Sequence, residues 1–228
     1  MLYTEQNVRD NIRNRDGQRV FFLDPKDTLT PGARDYLTRE KIPILPASDA
    51  PIQTYRLQNG ATLTQKPEHM THLRGDVLVP KTNPRIAFRG AIDTLEAQLL
   101  LCAARHPVLR DDVSQILALT RQILRCEVLE EPLKLTTLCG LSPQELRSHS
   151  HRPQDYYHQP HFMPEPSDSD AILTLNHCRC AARSAELTAA RAFTTPEDTC
   201  TRPDLLQALN RISSMLYILM IQQKAKER

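Results

Sequence analysis

At 228 residues the chain is long enough to bury a full hydrophobic core, so folding requires neither disulfides nor a structural metal. Its 29 Lys and Arg balance 27 Asp and Glu with no long run of one sign, which removes the basic footprint of a nucleic-acid binder. The polar start "MLYTEQNVRDNIRNRD" and the lack of an apolar run of bilayer length argue against a signal peptide and a membrane span, so a cytoplasmic protein is expected.

In chain order, "RVFFL" (19–23) and "IPIL" (42–45) are short apolar runs flanking "LTPGARDYLTREK". There Thr30 can cap a helix whose first turn takes Pro31. This predicts a small strand, helix, strand unit. Next, "QTYRLQNGATLTQK" carries two alternating runs around Asn59-Gly60, a strong hairpin signal, so residues 1–68 read as a small α/β and hairpin region.

From Pro84 the period changes to that of a helix. Ile86, Ile92, Leu95, Leu99 and Ala103 recur up to Arg105, and Val113, Ile116, Leu119, Ile123 and Leu124 form a second run. Ser142, Pro143 and Glu145 form an N-terminal capping pattern. The Pro- and His-rich stretch "SHRPQDYYHQPHFMPEPSDSD" then reads as a long connection, open between a disordered linker and a functional lid. Two more long helices are predicted near 169–193 and 203–225, the last with a seam of Leu205, Leu209, Ile212, Leu216 and Leu219. The expected fold is mainly α: an antiparallel four- or five-helix bundle over 69–228 behind the N-terminal α/β appendage.

Six cysteines, Cys102, Cys126, Cys139, Cys178, Cys180 and Cys200, lack metal-binding spacing and read as free thiols. The polar positions inside the predicted helices are more informative. In "CRCAARSAE", Arg179, Arg183 and Glu186 stand at i, i+4 and i+7 and share one face, which is a solvated face or a site. Asn210 is a poor helix former beside the apolar seam of the last helix, and its amide needs partners. A register-setting residue and a ligand group both fit it.

These residues carry a resemblance. "CRCAARSAE" followed by "ALNRISSMLYILM" resembles the R-x3-R-x2-E and L-N-R-L-S pair that closes the ATP:cobalamin (corrinoid) adenosyltransferases of the five-helix, PduO-related type. "VPKTNPRIAFRGAID" is similar to that family's V-x-K-x3-R-V-x3-G-x-x-D segment. The ethanolamine-utilization branch is resembled most, through "THLRGDVLVPKTNPRIAFRGAID", "HFMPEP" and "RPDLLQALNRISS", from about Met70 to the C-terminus. Any one segment alone is weak; three in the same order are specific.

The resemblance implies transfer of the 5′-deoxyadenosyl group of ATP to cob(I)alamin, giving adenosylcobalamin. Cob(I)alamin is itself the nucleophile, so the protein has to align C5′ with cobalt and stabilise a leaving polyphosphate. Arg179 and Arg183 match the family's two arginines, whose planar, permanently charged forks suit phosphate oxygens. Glu186 matches the carboxylate that would hold Arg183 or the ribose hydroxyls, Asn210 the ATP-contacting Asn, and Lys81 the phosphate-binding lysine. Asp93 falls where the family has an Asp paired with the first arginine, implying an Asp93–Arg179 ion pair. Arg211 is read as an ATP contact or as a partner for a neighbouring subunit's carboxylate. His161-Phe162-Met163-Pro164 stands in for the family's F-x-x-P, making His161 and Phe162 the candidates for the corrinoid face.

The implied cofactors and partners are ATP with Mg2+, the corrinoid, further copies in a homo-oligomer (trimer or dimer) and a flavin-type reductase. Ethanolamine-pathway proteins and a bacterial microcompartment belong to the same implication. Two features depart from the family pattern. The H-x11-C-C-x2-C cluster of metal-dependent members has no counterpart before Cys102, so no Fe or Zn site is expected, and the T-x-T-G-D phosphate loop is replaced only loosely by "THLRGD". The alternative reading is a catalytically silent helical corrinoid carrier or scaffold, which would have little reason to keep Lys81, Arg179, Arg183, Glu186 and Asn210 together.

Overall fold

The computed structural model describes residues 1–50 and 54–227. Gln53, the first residue of the expected hairpin run, lies outside the described residues. Two compact units emerge, Met1–Tyr55 with Thr62–Gln65 and Arg56–Ala61 with Lys66–Arg228.

The first unit is α/β, with elements β1 (Leu2–Tyr3), α1 (Glu5–Asn11), β2 (Arg13–Arg15), β3 (Gln18–Leu23), β4 (Thr28–Leu29), α2 (Pro31–Arg39) and β5 (Ile44–Pro46). Thr30 caps α2 by accepting from the Ala33 amide with Pro31 in the first turn, as its sequence predicts. β3 and β5 pair in parallel, Phe21 opposite Ile44, which is the register of the expected strand, helix, strand unit. The sequence reading missed α1. Its start is set by a capping box in which Thr4 and Asn7 bond each other's backbone amides. Val8, Phe21, Leu29, Ala33, Tyr36, Leu37 and Ile42 form this unit's core.

In the second unit, Arg56 and Leu57 of β6 (Tyr55–Leu57) lead into the turn at Asn59-Gly60; β7 (Thr62–Leu63), which comes next in the chain, belongs to the first. Gly60 takes φ +86°, the left-handed region that favours glycine, and the Leu57 amide donates to the Ala61 carbonyl to close the turn. β6 runs parallel to β9 (Val77–Pro80), which pairs antiparallel with β8 (Met70–Arg74). Lys81 follows directly after β9.

Four long helices dominate this unit: α3 (Pro84–Arg105), α4 (Arg110–Leu129), α7 (Asp170–Phe193) and α8 (Pro203–Lys226), with α5 (Pro143–His151) and α6 (Pro153–Tyr157) between α4 and α7. Their starts follow capping chemistry. Asn83 caps α3, Ser142 and Glu145 form a capping box for α5, Ser169 caps α7, and Pro203 occupies the first turn of α8. α7 packs on both α3 and α8, α4 on α3 and α8, and α5 on α8. All five residues of the predicted α8 seam are buried in one core with Ile92, Leu95 and Leu99 of α3 and Val113, Ile116 and Ile123 of α4. Ala182, Ala185 and Ala189 let α7 sit deep in that core, because side chains this small allow close helix approach. No helix among the described residues is long and apolar enough to cross a membrane.

The long connection differs from its expected form. It is neither one loop nor a plain linker: α5 runs to His151, and Pro153 starts a second short helix that ends at His158 in the left-handed region. Only residues 158–169 remain as an extended strap leading to the cap of α7. Asp168 anchors its end. Its buried carboxylate accepts from the Glu165 amide at 2.7 Å and pairs with Lys224.

Candidate functional site

Two groups of arginines distinguish the second unit, and they are satisfied in opposite ways. On α3, Arg85 and Arg89 both reach Glu127 of α4, whose side chain is fully buried. The Arg89 Nε lies 2.7 Å from Glu127 Oε2, and its Nη2 donates to the Leu73 carbonyl at 2.9 Å. Arg85 also donates to the Glu127 carbonyl (3.0 Å) and to Glu130 (3.2 Å), while Glu130 pairs with Arg74. This network fastens β8 and α4 to α3 and gives each of its guanidinium groups a carboxylate partner.

The second group lines a cavity of about 620 Å³ bounded by α7, α8, the end of α5 and the strap. Arg179 and Arg183 come from α7, Asn210, Ser214 and Tyr217 from α8, and His161 and Phe162 from the strap. Arg179 places its guanidinium carbon 5.3 Å from the centre of the Tyr217 ring. Neither Arg179 nor Arg183 has an ion pair among the described residues. A cavity wall carrying two unneutralised guanidinium groups suits a polyanion.

Asn210 is exposed toward this side of α8 rather than sunk in the apolar seam, and its Nδ2 donates to Glu186 Oε1 at 3.1 Å. The carboxylate therefore holds Asn210, where the sequence comparison expected it to hold Arg183 or a ribose. Arg211 donates to Asn210 Oδ1, while its Nε is buried without a hydrogen-bond partner among the described residues. Burial first, and nearby Arg147 second, pull the Arg211 guanidinium below its usual pKa, with Glu186 opposing.

On the strap, His161 is engaged at both ring nitrogens. Nε2 lies 3.1 Å from the His151 carbonyl, which can only accept, and Nδ1 lies 2.9 Å from the Tyr217 hydroxyl. Neither nitrogen is left free in the chain as an axial donor to a metal. Phe162 packs half-buried against the core and stacks on Tyr217, with ring centres 6.5 Å apart.

Five of the eight residues singled out from sequence thus line one cavity: Arg179, Arg183, Asn210, His161 and Phe162. Glu186 joins them through Asn210. Lys81 and Asp93 do not line it. Lys81 is exposed and pairs with Glu68 at 3.1 Å, and the implied Asp93–Arg179 ion pair does not form within the chain, because Asp93 is exposed on α3 while Arg179 rests on Tyr217. Tyr217 itself went unread in the sequence, although it stands seven residues after Asn210 and therefore on the same helix face. The six cysteines are unpaired thiols, and among the described residues no cluster of three His, Cys, Asp or Glu side chains could hold a metal ion.

Comparison with known proteins gives the family. The family model of cobalamin adenosyltransferase matches residues 61–223, which contain every residue lining the cavity. The corrinoid adenosyltransferase EutT of Salmonella typhimurium is 35% identical over 213 residues, covering 91% of this chain and 78% of the relative. EutT of Escherichia coli K12 is 36% identical over 170 residues, 72% of this chain, and the match spans 62% of that relative, under two thirds of its length. With one family model covering most of its length and relatives above one third identity, the chain belongs to the cobalamin adenosyltransferase family.

Proposed function

We propose that the chain is a corrinoid adenosyltransferase that moves the 5′-deoxyadenosyl group of ATP to cob(I)alamin, and that the cavity between α7, α8 and the strap is where its substrates meet. The observation that carries this reading is the pair of unneutralised arginines, Arg179 and Arg183, beside Asn210 in one cavity of a chain of this family. In the displacement, the cobalt electron pair attacks C5′, the cobalt–carbon bond forms, and the C5′–oxygen bond breaks with its electrons leaving on the triphosphate. No side chain has to remove a proton. The protein's part is to orient C5′ and to stabilise charge on the departing phosphates. Arg179 and Arg183 serve the phosphates, Asn210 with Glu186 serves the nucleoside, and Phe162 supplies an apolar wall to the corrinoid face.

Mg2+ enters with the nucleotide. Phosphate oxygens and water are its natural ligands, and a wall of arginines fits the phosphates rather than the ion. Lys81 and Asp93, which lie off the cavity, complete the site from another copy in a homo-oligomer, a dimer or trimer whose long helices form an antiparallel bundle. A cytoplasmic setting in ethanolamine utilization, with a flavin-type reductase supplying Co(I) and a microcompartment nearby, completes the reading. The test is anaerobic: ATP, Mg2+ and chemically prepared cob(I)alamin are mixed with the purified chain and Co(I) absorbance is followed. Enzyme-dependent loss with formation of adenosylcobalamin is expected. Tight corrinoid binding without transfer would favour a silent carrier instead.

A further inference from the structure

Arg179 faces an aromatic ring where a structural arginine would face a carboxylate. A carboxylate partner would both neutralise the guanidinium and occupy its N–H donors. A ring face orients it and does neither. The ring belongs to Tyr217, and the same residue receives the strap. Its hydroxyl meets His161 Nδ1 at 2.9 Å, the His161 ring lies nearly parallel to it (centres 5.8 Å apart, 12°), and Phe162 stacks at 6.5 Å. Two turns further along α8, Lys224 stands 5.7 Å from the Phe162 ring centre and pairs with the buried Asp168 that ends the strap. One face of α8 therefore holds the strap at both ends, and its Tyr217 also faces Arg179.

We propose that Tyr217 is a positioning residue that couples the two halves of the site: its ring presents Arg179 to the nucleotide phosphates and its hydroxyl, through His161, holds the strap that carries Phe162. This rests on the adenosyltransferase reading and goes beyond it, because it assigns nucleotide binding and closure over the corrinoid to two separable parts of one side chain. It also gives His161 a role as a tether in place of a cobalt ligand.

The separation is testable on the full chain with Tyr217→Phe, Tyr217→Leu and His161→Ala, each checked for native helicity by circular dichroism. Calorimetric titration of ATP reads the Arg179 side. Electron paramagnetic resonance of cob(II)alamin with protein and ATP reads the strap side, as the fraction of four-coordinate cobalt, the form left when the apolar Phe162 on a closed strap keeps the lower axial ligand off the metal. Tyr217→Phe keeps the ring, so ATP affinity should stay within about twofold, while the four-coordinate fraction falls about three- to tenfold, the range of one lost hydrogen bond. His161→Ala also removes the bond to the His151 carbonyl and the ring contact, so its fall should be at least as large, and adding Tyr217→Phe to it should add nothing further. Tyr217→Leu should lose the four-coordinate signal and weaken ATP about two- to fivefold, the range of an exposed cation–π contact. Wild-type ATP affinity and signal in Tyr217→Leu would overturn the proposal, as would additive losses in Tyr217→Phe/His161→Ala. Should Tyr217→Leu not fold, the Tyr217→Phe cycle decides alone. A wild-type chain that binds neither ATP nor cob(II)alamin would instead overturn the adenosyltransferase reading itself.

Discussion

Two sets of arginines, on two helices packed against each other, are treated in opposite ways. Arg85 and Arg89 on α3 converge on a buried carboxylate, Glu127, and two backbone carbonyls. Arg179 and Arg183 on α7 face a cavity, one over an aromatic ring and the other without a partner among the described residues. The residue type and helical spacing are the same. What separates a fastening from a binding group is whether the fold supplies the counter-charge. Where it does, the guanidinium joins elements together; where it withholds it, the charge remains for a ligand to satisfy.

The sharpest way to break this comparison is at the fastening. Glu127→Gln leaves two guanidinium groups facing a neutral amide in a closed environment and should lower unfolding free energy by roughly 3–5 kcal/mol. Urea unfolding followed by far-ultraviolet circular dichroism measures it. Wild-type stability in this variant would show that the network is not a fastening.

Asn210→Ala sharpens the comparison from the other side. The Asn210 amide occupies Glu186, one turn along from Arg183 on α7. Without it Glu186 is free to pair with Arg183 at i, i+3, converting a withheld counter-charge into a supplied one. Transfer should fall about tenfold, at the upper end of what one hydrogen bond contributes, with unchanged thermal stability. Initial rates of Co(I) loss at saturating ATP report this, and full activity would detach Asn210 and Glu186 from the site.

Asp168 and Lys224 stand between the extremes, as one carboxylate with one cation at the end of the strap. The hydrogen bond from Lys224, followed by that from the Glu165 amide, holds the Asp168 carboxyl below the usual carboxylate range. The unfolded chain therefore binds a proton here more readily than the folded one. Stability from this contact is complete above the ordinary Asp pKa of about 4 and is lost as pH falls through the lower folded value. Melting temperatures between neutral pH and about pH 3 should show an acid-side decline in wild type that is shallower in Asp168→Asn. Parallel curves for the two proteins would remove Asp168 from the account.

Much of this organisation is legible in the residues themselves. The α8 seam, the Pro84–Arg105 helix and the Ser142 capping box follow from periodicity and capping, which are local, and they stand in the structure where the sequence puts them. Arg179, Arg183 and Asn210 stand out because polar residues interrupt otherwise apolar helices. Glu127 was not legible: its burial depends on arginines 42 and 38 positions earlier, and no local pattern separates it from a surface carboxylate. Tyr217 was hidden for the same reason, its role arising from a strap 56 residues upstream that crosses over it. His161 was legible as a site residue but not as a tether, since its hydrogen-bond partners, the His151 carbonyl and the Tyr217 hydroxyl, lie 10 and 56 positions away. The short α6 was missed because a Pro- and His-rich composition masks a helix that starts at proline.

The central claim is that the arginines denied a counter-charge by the fold are those that hold the substrate's phosphates. Arg183→Ala tests it most directly, in an anaerobic titration of ATP against the rate of cob(I)alamin adenosylation, with urea unfolding of the same preparation as the control. The account predicts that transfer falls about 100- to 1000-fold, the range for one lost charged contact in a preorganised site, while unfolding free energy stays within about 0.5 kcal/mol of wild type. A variant that transfers at the wild-type rate, or one that loses stability as Glu127→Gln does, would contradict it.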